Sequence, residues 1–304
     1  MSRSPQKRAE MLGTVFVLLG ALAIGLMPSA AKIAYQEGAN PLAAIILRSV
    51  IGIIGVSIYL LIRRQSFGFS HAALNAGIVV GIAQAFNSLG IMASVAYIDV
   101  SVAIVIISCF PFWVAIYNHL TGASRLTLPM LICFFLALAG LVLLVGFNLD
   151  TINPTGLYLA IMGMFAMAVM VLVVSSLSSQ IGPVAANLHM TGWTTIYFLL
   201  IAFLIPQTGW IDAPMMPDSS KGWVAILATG ISFTFGYILF FVGAGYIGTT
   251  KASMLSISEP ALIVLVAVML LDEWLEPIQW LGLSLVIASL MVIAWPTKAK
   301  KSTA

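Results

Sequence analysis

Ten long apolar segments follow one another along this 304-residue chain, and they restrict its fold more than any other feature. A helix needs about 20 apolar residues to cross the hydrocarbon core of a bilayer. Only 8% of the residues are charged, against roughly 25% in a soluble domain, so the chain cannot cover a surface that faces water. We therefore predict a multi-pass integral membrane protein with ten transmembrane helices at 11–34, 41–62, 73–95, 101–120, 128–146, 154–176, 184–205, 222–245, 250–271 and 277–295.

The Lys and Arg residues of the short loops predict the orientation of these helices, because such loops carry more positive charge on the cytoplasmic side. With the N-terminus inside, the outer side holds Lys221, with Lys32 near the outer end of the first helix. Both termini are then cytoplasmic, as tails at 1–10 and 296–304. The predicted cytoplasmic residues are Arg3, Lys7, Arg8, Arg63, Arg64, Arg125, Lys251, Lys298, Lys300 and Lys301.

An internal repeat divides the chain. The segment "ASVAYIDVSVAIVIISCFPFWV" (93–114) aligns with "VGAGYIGTTKASMLSISEPALI" (242–263) at a constant separation of 149 residues, which places Pro111 on Pro260. Each half has five predicted helices, an odd number, so the halves must run in opposite senses across the membrane. We predict an all-α fold of two inverted five-helix repeats, 11–147 and 154–295, with a site between them near the membrane midplane.

These segments resemble the drug/metabolite transporter superfamily, and specifically its EamA-type ten-helix carriers. The resemblance rests on the duplication, on "LSISEPALIVLVAVMLLDEWLEPIQWLGLSLVIASLMVI" (255–293) and on its echo "IISCFPFWVAIYNHLTGASRLTLPMLICFFLALAGLVLL" (106–144). It implies a carrier in the cell inner membrane, from a group whose members move amino acids, amines, nucleosides, vitamins and drugs. Phe110 occupies the first-half position of Glu259, so a role that depends on the acid belongs to one half only.

Glu259 and Pro260 interrupt the ninth apolar segment close to its middle. A charged side chain at the bilayer centre costs about 2.5–3.5 kcal/mol, and such residues normally face a bundle interior or a water-filled cavity. Pro260 removes a backbone hydrogen bond and kinks the helix, so we predict hinges at Pro260 and at its repeat partner Pro111. The Glu259 carboxyl binds a solute amine or hydroxyl, carries a proton, or holds the kink as a protonated acid.

Four further positions are candidates to line a translocation path. Arg48 lies too deep in the second segment to reach the interface easily, so it attracts a solute carboxylate or phosphate, or pairs internally with an acid or with carbonyls. Gln84, Asn87 and Ser88 share one face of the third segment, since their spacing is i, i+3 and i+4. That face is either a cavity wall or a contact between helices.

Aromatic residues at Trp113 and Tyr237 are further candidates for the cavity lining, because their rings can stack on a planar solute. With the four positions above and Glu259, they complete the predicted substrate-binding set.

Motifs of enzymes and cofactor sites are absent from the sequence: it has no HExxH, GxSxG, P-loop or CxxC pattern. We predict no catalysis, no metal, no cofactor and no nucleic-acid partner. Transport of a small molecule through the bilayer must then run on a proton gradient or an exchanged solute. The leading prediction is a secondary carrier that exports amino acids or related metabolites and drugs by alternating access. The alternatives are an uptake carrier for a planar vitamin or nucleoside-like metabolite, and an intramembrane enzyme acting on lipid-linked substrates.

Overall fold

A computed structural model of the chain describes residues 5–94, 97–98, 100–145, 153–204, 213–262 and 276–294. These residues form helices joined by short loops, and no strand occurs among them. The helices are α1 (Pro5–Gln36), α2 (Pro41–Ile62), α3 (His71–Ser94), α4 (Val100–Ile107), α5 (Phe110–Leu120), α6 (Leu128–Val145), α7 (Pro154–Ile181), α8 (Pro183–Leu204), α9 (Ser220–Ile247), α10 (Thr249–Leu255) and α11 (Pro277–Ala294).

Helices suit this composition because hydrocarbon offers no partner for an exposed backbone N–H or C=O group. Six of the described helices, α1, α2, α3, α7, α8 and α9, are long and apolar enough to cross a membrane. The protein is therefore a multi-pass membrane protein. The count of ten spans and the orientation of the termini stay predictions.

Local sequence sets several helix starts. The side-chain oxygen of Asn40 accepts a hydrogen bond from the Ala43 N–H at 3.0 Å, and Asn153 does the same for Thr155 at 2.8 Å. A proline follows each of these caps, at a position where its missing N–H costs nothing. The predicted tail 1–10 is partly helical, because α1 already begins at Pro5.

Helix packing follows a pattern that is unchanged when the two halves are exchanged. α1 packs along α9. In the same way α7, the second-half counterpart of α1, packs along α3, the first-half counterpart of α9. α6 packs against its own counterpart α11, and α2 packs against α8. An internal two-fold relation between the two halves produces this pattern.

Glycines allow the backbones to approach closely where these helices cross. A Cβ added at Gly20 in α1 would lie 2.8 Å from the carbonyl oxygen of Gly236 in α9. At the corresponding crossing, a Cβ at Gly90 in α3 would lie 2.8 Å from the backbone nitrogen of Gly163 in α7. Small residues take this role in membrane helices because van der Waals contact must replace the hydrophobic effect there.

Candidate functional site

Two predicted spans are broken rather than continuous. The span predicted at 101–120 divides into α4 and α5 at Ser108 and Cys109. The span predicted at 250–271 begins as α10, turns at Ser256 and Ile257 and resumes helical geometry over 258–262; residues 263–271 lie outside the described residues. Each span is therefore interrupted beside the proline at which a hinge was predicted.

Proline explains the position of each break. Pro111 and Pro260 have no N–H to donate to the carbonyls of Ile107 and Ser256, the residues four positions earlier. The Ser256 carbonyl instead accepts a hydrogen bond at 3.0 Å from the N–H of Glu259, which lies three residues later rather than four. The breaks consequently fall two to three residues before Pro111 and three to four residues before Pro260, within one residue of repeat-equivalent positions.

The two breaks border one internal cavity of about 260 Å³. Residues of α1, α2, α3, α7 and α9 complete its wall. The cavity brings together predicted residues from four separate segments of the chain. Those from the predicted substrate-binding set that line it are Arg48, Gln84, Asn87, Ser88, Tyr237 and Glu259.

Arg48 has weak partners for a buried cation. Its side chain is 8% exposed, its Nη1 donates to the sulfur of Met27 at 3.0 Å, and its guanidinium carbon lies 4.4 Å from the centre of the Phe233 ring. Among the described residues, its buried Nε atom has no hydrogen-bond partner. A thioether is a weak acceptor, so the guanidinium retains most of its capacity to bind an anion.

Glu259 lines the same cavity from the second break. Among the described residues it forms no ion pair with Arg48. The repeat-equivalent Phe110 also lines the cavity and is 5% exposed. The duplicated position therefore presents an acid from one half and a phenyl ring from the other.

The polar face of α3 serves two purposes. The Asn87 side chain donates from Nδ2 to the Gly163 carbonyl of α7 at 3.0 Å, which ties the two helices together beside the cavity. Gln84 donates from Nε2 to the Ser88 hydroxyl at 3.3 Å, and its side chain also lies within hydrogen-bonding reach of Tyr237. The face thus joins α3 to α7 and also borders the cavity.

Trp113 and Pro111 lie away from the lining. The Trp113 side chain is 38% exposed, and its ring centre lies 4.7 Å from that of Phe165 in α7, on the outer surface. Pro111 is buried within α5, next to Phe110. The structure does not place Trp113 in the cavity, because the rotation of α5 directs Phe110 inward and leaves the Trp113 ring against α7.

Several lining residues were not predicted from the sequence. Phe233 lies one turn from Tyr237 on α9, with ring centres 4.8 Å apart. Its four-residue spacing from Tyr237 could have predicted that both rings face the cavity. Met27 carries no local signal at all, since it lies 21 residues before Arg48 in an apolar helix. No group of three or more His, Cys, Asp or Glu side chains that could hold a metal occurs in the part of the chain that the structure describes.

A many-helix bundle around a mostly apolar cavity with a few polar side chains, bordered by two broken helices, is typical of membrane transporters. The sequence profile of the EamA-like transporter family matches residues 11–146 and again residues 154–295, so the chain belongs to that family. Its members are transporters rather than enzymes, within the drug/metabolite transporter superfamily.

Comparison with solved structures supports the same fold. One crystal structure, described only as that of a protein, superposes with a TM-score of 0.75 at 18% identity, covering 96% of this chain and 98% of the other. In all, 29 chains of solved structures match. No curated protein matched the sequence.

Proposed function

We propose that the protein is a secondary carrier that moves a small organic solute through the central cavity by alternating access. The observation that carries the proposal is the cavity itself, bordered at once by both broken helices. In carriers built from inverted repeats, discontinuous helices border the solute site, and one half of the molecule moves against the other around it. The breaks before Pro111 and Pro260 are the flexible points of that motion.

The cargo is a small metabolite, most simply an amino acid or a related compound. Pockets for drug-sized ligands measure about 300–1,000 Å³, and this cavity of about 260 Å³ lies below that range. Its lining joins an acid, a base and an amide to apolar walls, which suits a small amphiphilic solute better than a large planar one.

Export from the cytoplasm through the cell inner membrane is the direction we propose. The end of α5 is hydrogen-bonded to the start of α10: Asn118 Nδ2 donates to Thr249 Oγ1 at 2.7 Å and to Thr250 Oγ1 at 2.9 Å. The Ser124 and Thr250 hydroxyls lie 3.0 Å apart. In the predicted orientation these bonds close the cytoplasmic end of the cavity, and they must open to admit cargo.

A proton or an exchanged solute drives the cycle in this proposal. Glu259 is the acid that lines the cavity, and a carboxyl group there is able to exchange a proton for a cationic group of the cargo. The sequence carries no nucleotide-binding motif that would supply ATP instead.

The test is solute counterflow in proteoliposomes with radiolabelled amino acids, comparing the parent protein with Glu259→Gln. The matched control is Glu276→Gln, which makes the same chemical change at an exposed carboxylate at the start of α11. We expect Glu259→Gln to lower counterflow by about tenfold or more while the protein still inserts and folds, because a cargo contact or a proton site is lost. Equal counterflow in parent and Glu259→Gln would exclude a transport role for this acid.

A further inference from the structure

A second cavity, the α2–α9 groove, has a volume of about 410 Å³ and lies on the outside of the helix bundle. Three glycines form part of its wall, and a Cβ added to one of them, Gly55, would meet nothing within 4 Å. Tyr59 and Phe235 at its edge are 44% and 60% exposed. Among the described residues, the groove shares no lining residue with the central cavity. It is therefore a separate cavity that opens toward the acyl chains of the bilayer.

The internal repeat contains a second copy of this helix crossing, formed by α8 and α3. Ile51 and Trp193 are each the eleventh residue of their helices, α2 and α8, which both begin with a proline and both contain 22 residues. Gly230 follows Gly81 by 149 residues, the separation found in the repeat. A Cβ at Gly230 would lie 3.0 Å from the Ile51 Cβ, and a Cβ at Gly81 would meet the Trp193 Cβ. Equivalent positions therefore make the contact in both crossings.

A tyrosine ring fills the second crossing at the position where the α2–α9 groove is empty. Tyr197 is the fifteenth residue of α8, as Gly55 is of α2. The Tyr197 ring covers Gly81, where an added Cβ would lie 3.0 Å from its Cε2 atom, and its hydroxyl donates to the Ile78 carbonyl at 3.3 Å. Gly55 has no side chain that could cover Gly230 in the same way. The groove is therefore the place of an aromatic side chain that one half of the repeat has and the other lacks.

A buried hydroxyl in the wall of the groove also lacks a partner. Thr234 lines the groove and is 6% exposed, and its Oγ1 has no hydrogen-bond partner among the described residues. This oxygen lies beside Gly52, where an added Cβ would be 2.5 Å from it. A hydroxyl that is buried without a hydrogen bond costs free energy. A polar atom on a molecule in the groove would remove that cost.

We propose that the α2–α9 groove binds a neutral single-ring phenol that is dissolved in the bilayer. The ring lies over Gly55 and Gly230, as the Tyr197 ring lies over Gly81, and the phenolic oxygen forms a hydrogen bond with the Thr234 hydroxyl. An apolar cavity of about 150 Å³ is already large enough for benzene, so this groove has room for a substituted ring. Charged molecules are excluded, because the lining residues carry no charge and the groove opens to hydrocarbon.

The first experiment uses para-cresol, which is the side chain of tyrosine as a free molecule. Thermal unfolding of the purified full-length protein in detergent micelles is followed as para-cresol, toluene or methylcyclohexanol is added. We expect saturable stabilisation by para-cresol, with a half-saturating concentration at least about threefold below that of either analogue, since toluene lacks the hydroxyl and methylcyclohexanol lacks the aromatic ring. Equal effects of the three compounds, or no stabilisation by para-cresol, would overturn the proposal and leave acyl chains as the occupant.

Variants assign the stabilisation to the groove. Gly55→Tyr installs the missing side chain and should abolish the saturable effect of para-cresol. The matched control is Gly245→Tyr in α9, at an exposed glycine whose added Cβ also meets nothing within 4 Å, and it should respond as the parent does. An unchanged response in Gly55→Tyr would overturn the proposal, because para-cresol would then bind elsewhere, such as in the central cavity.

Two further measurements test the hydroxyl and the competing occupant. Thr234→Val removes the hydroxyl with little change of shape, so para-cresol and toluene should become equivalent; a preference for para-cresol that survives would overturn the pairing with Thr234. This variant keeps the proposal testable if Gly55→Tyr does not fold. A parent dimer that dissociates in Gly55→Tyr but not in Gly245→Tyr, measured by light scattering, would overturn the phenol site in favour of a side chain from a second copy.

Discussion

Gly90→Ala is predicted to separate α3 from α7 and to destabilise the protein. The added Cβ would lie 2.8 Å from both the nitrogen and the Cα of Gly163, and 2.8 Å from the Leu159 carbonyl oxygen. All three neighbours are backbone atoms of α7, so no side chain can rotate away to make room. The helices themselves must move.

The size of the effect follows from these distances. Non-bonded carbon atoms pack at about 3.5–4.0 Å, and a gap of about 0.5–1 Å forfeits a quarter to a half of the dispersion energy of each contact around it. Overpacking of this kind typically costs about 1–3 kcal/mol. The nearby bond from Asn87 to the Gly163 carbonyl, now 3.0 Å long, would stretch as well; such bonds are worth on average about 0.6 kcal/mol in membrane helices.

Unfolding of the purified protein in mixed micelles by increasing SDS measures the effect. The control is Gly55→Ala in α2, where an added Cβ meets nothing within 4 Å, so both variants share the change in intrinsic helix propensity. Gly90→Ala should be less stable than Gly55→Ala by about 1–3 kcal/mol, and it should also bind cargo more weakly because Asn87 is displaced from the cavity wall. Equal stability of the two variants would refute the close crossing of α3 and α7.

Two further predictions concern contacts at the ends of the bundle. Asn118→Ala removes two hydrogen bonds between α5 and α10, and at about 0.6 kcal/mol each this loss should speed hydrogen–deuterium exchange there roughly eightfold. The control is Thr121→Ala, whose hydroxyl bonds its own helix and whose loss should change exchange little. Equal exchange in the two variants would contradict a closing role for Asn118. The Ser219 hydroxyl donates a hydrogen bond to the Glu37 carboxylate, and the Lys221 ammonium lies 3.2 Å from that carboxylate. Both contacts hold the pKa of the Glu37 carboxyl below its ordinary value. Its anion therefore stabilises the fold at neutral pH, and this contribution is lost as the pH falls through the lowered pKa; in Glu37→Gln that acid-range fall in Tm should flatten, and an unchanged Tm profile would contradict the assignment.

The prolines show how much of the site could be predicted locally. A proline breaks the helix around its own missing hydrogen bond wherever the surrounding segment packs. Pro111 and Pro260 therefore mark where α5 and the resumed helix after α10 begin, and their role as hinges stays a prediction. The cost of burying polar groups in hydrocarbon similarly identified Arg48 and Glu259 as inward-facing groups, and the structure places both on the cavity.

The membrane location and the helical fold were determined by the sequence alone, because apolar length and unsatisfied backbone groups leave helices as the only solution for these segments. The tertiary structure decided which helix faces meet. Helices such as α7 and α11 are apolar on nearly every side, so they carry no stripe that predicts their rotation. For that reason only the tertiary packing of the helices could bring Met27 and Phe233 to Arg48 and turn Trp113 away from the cavity.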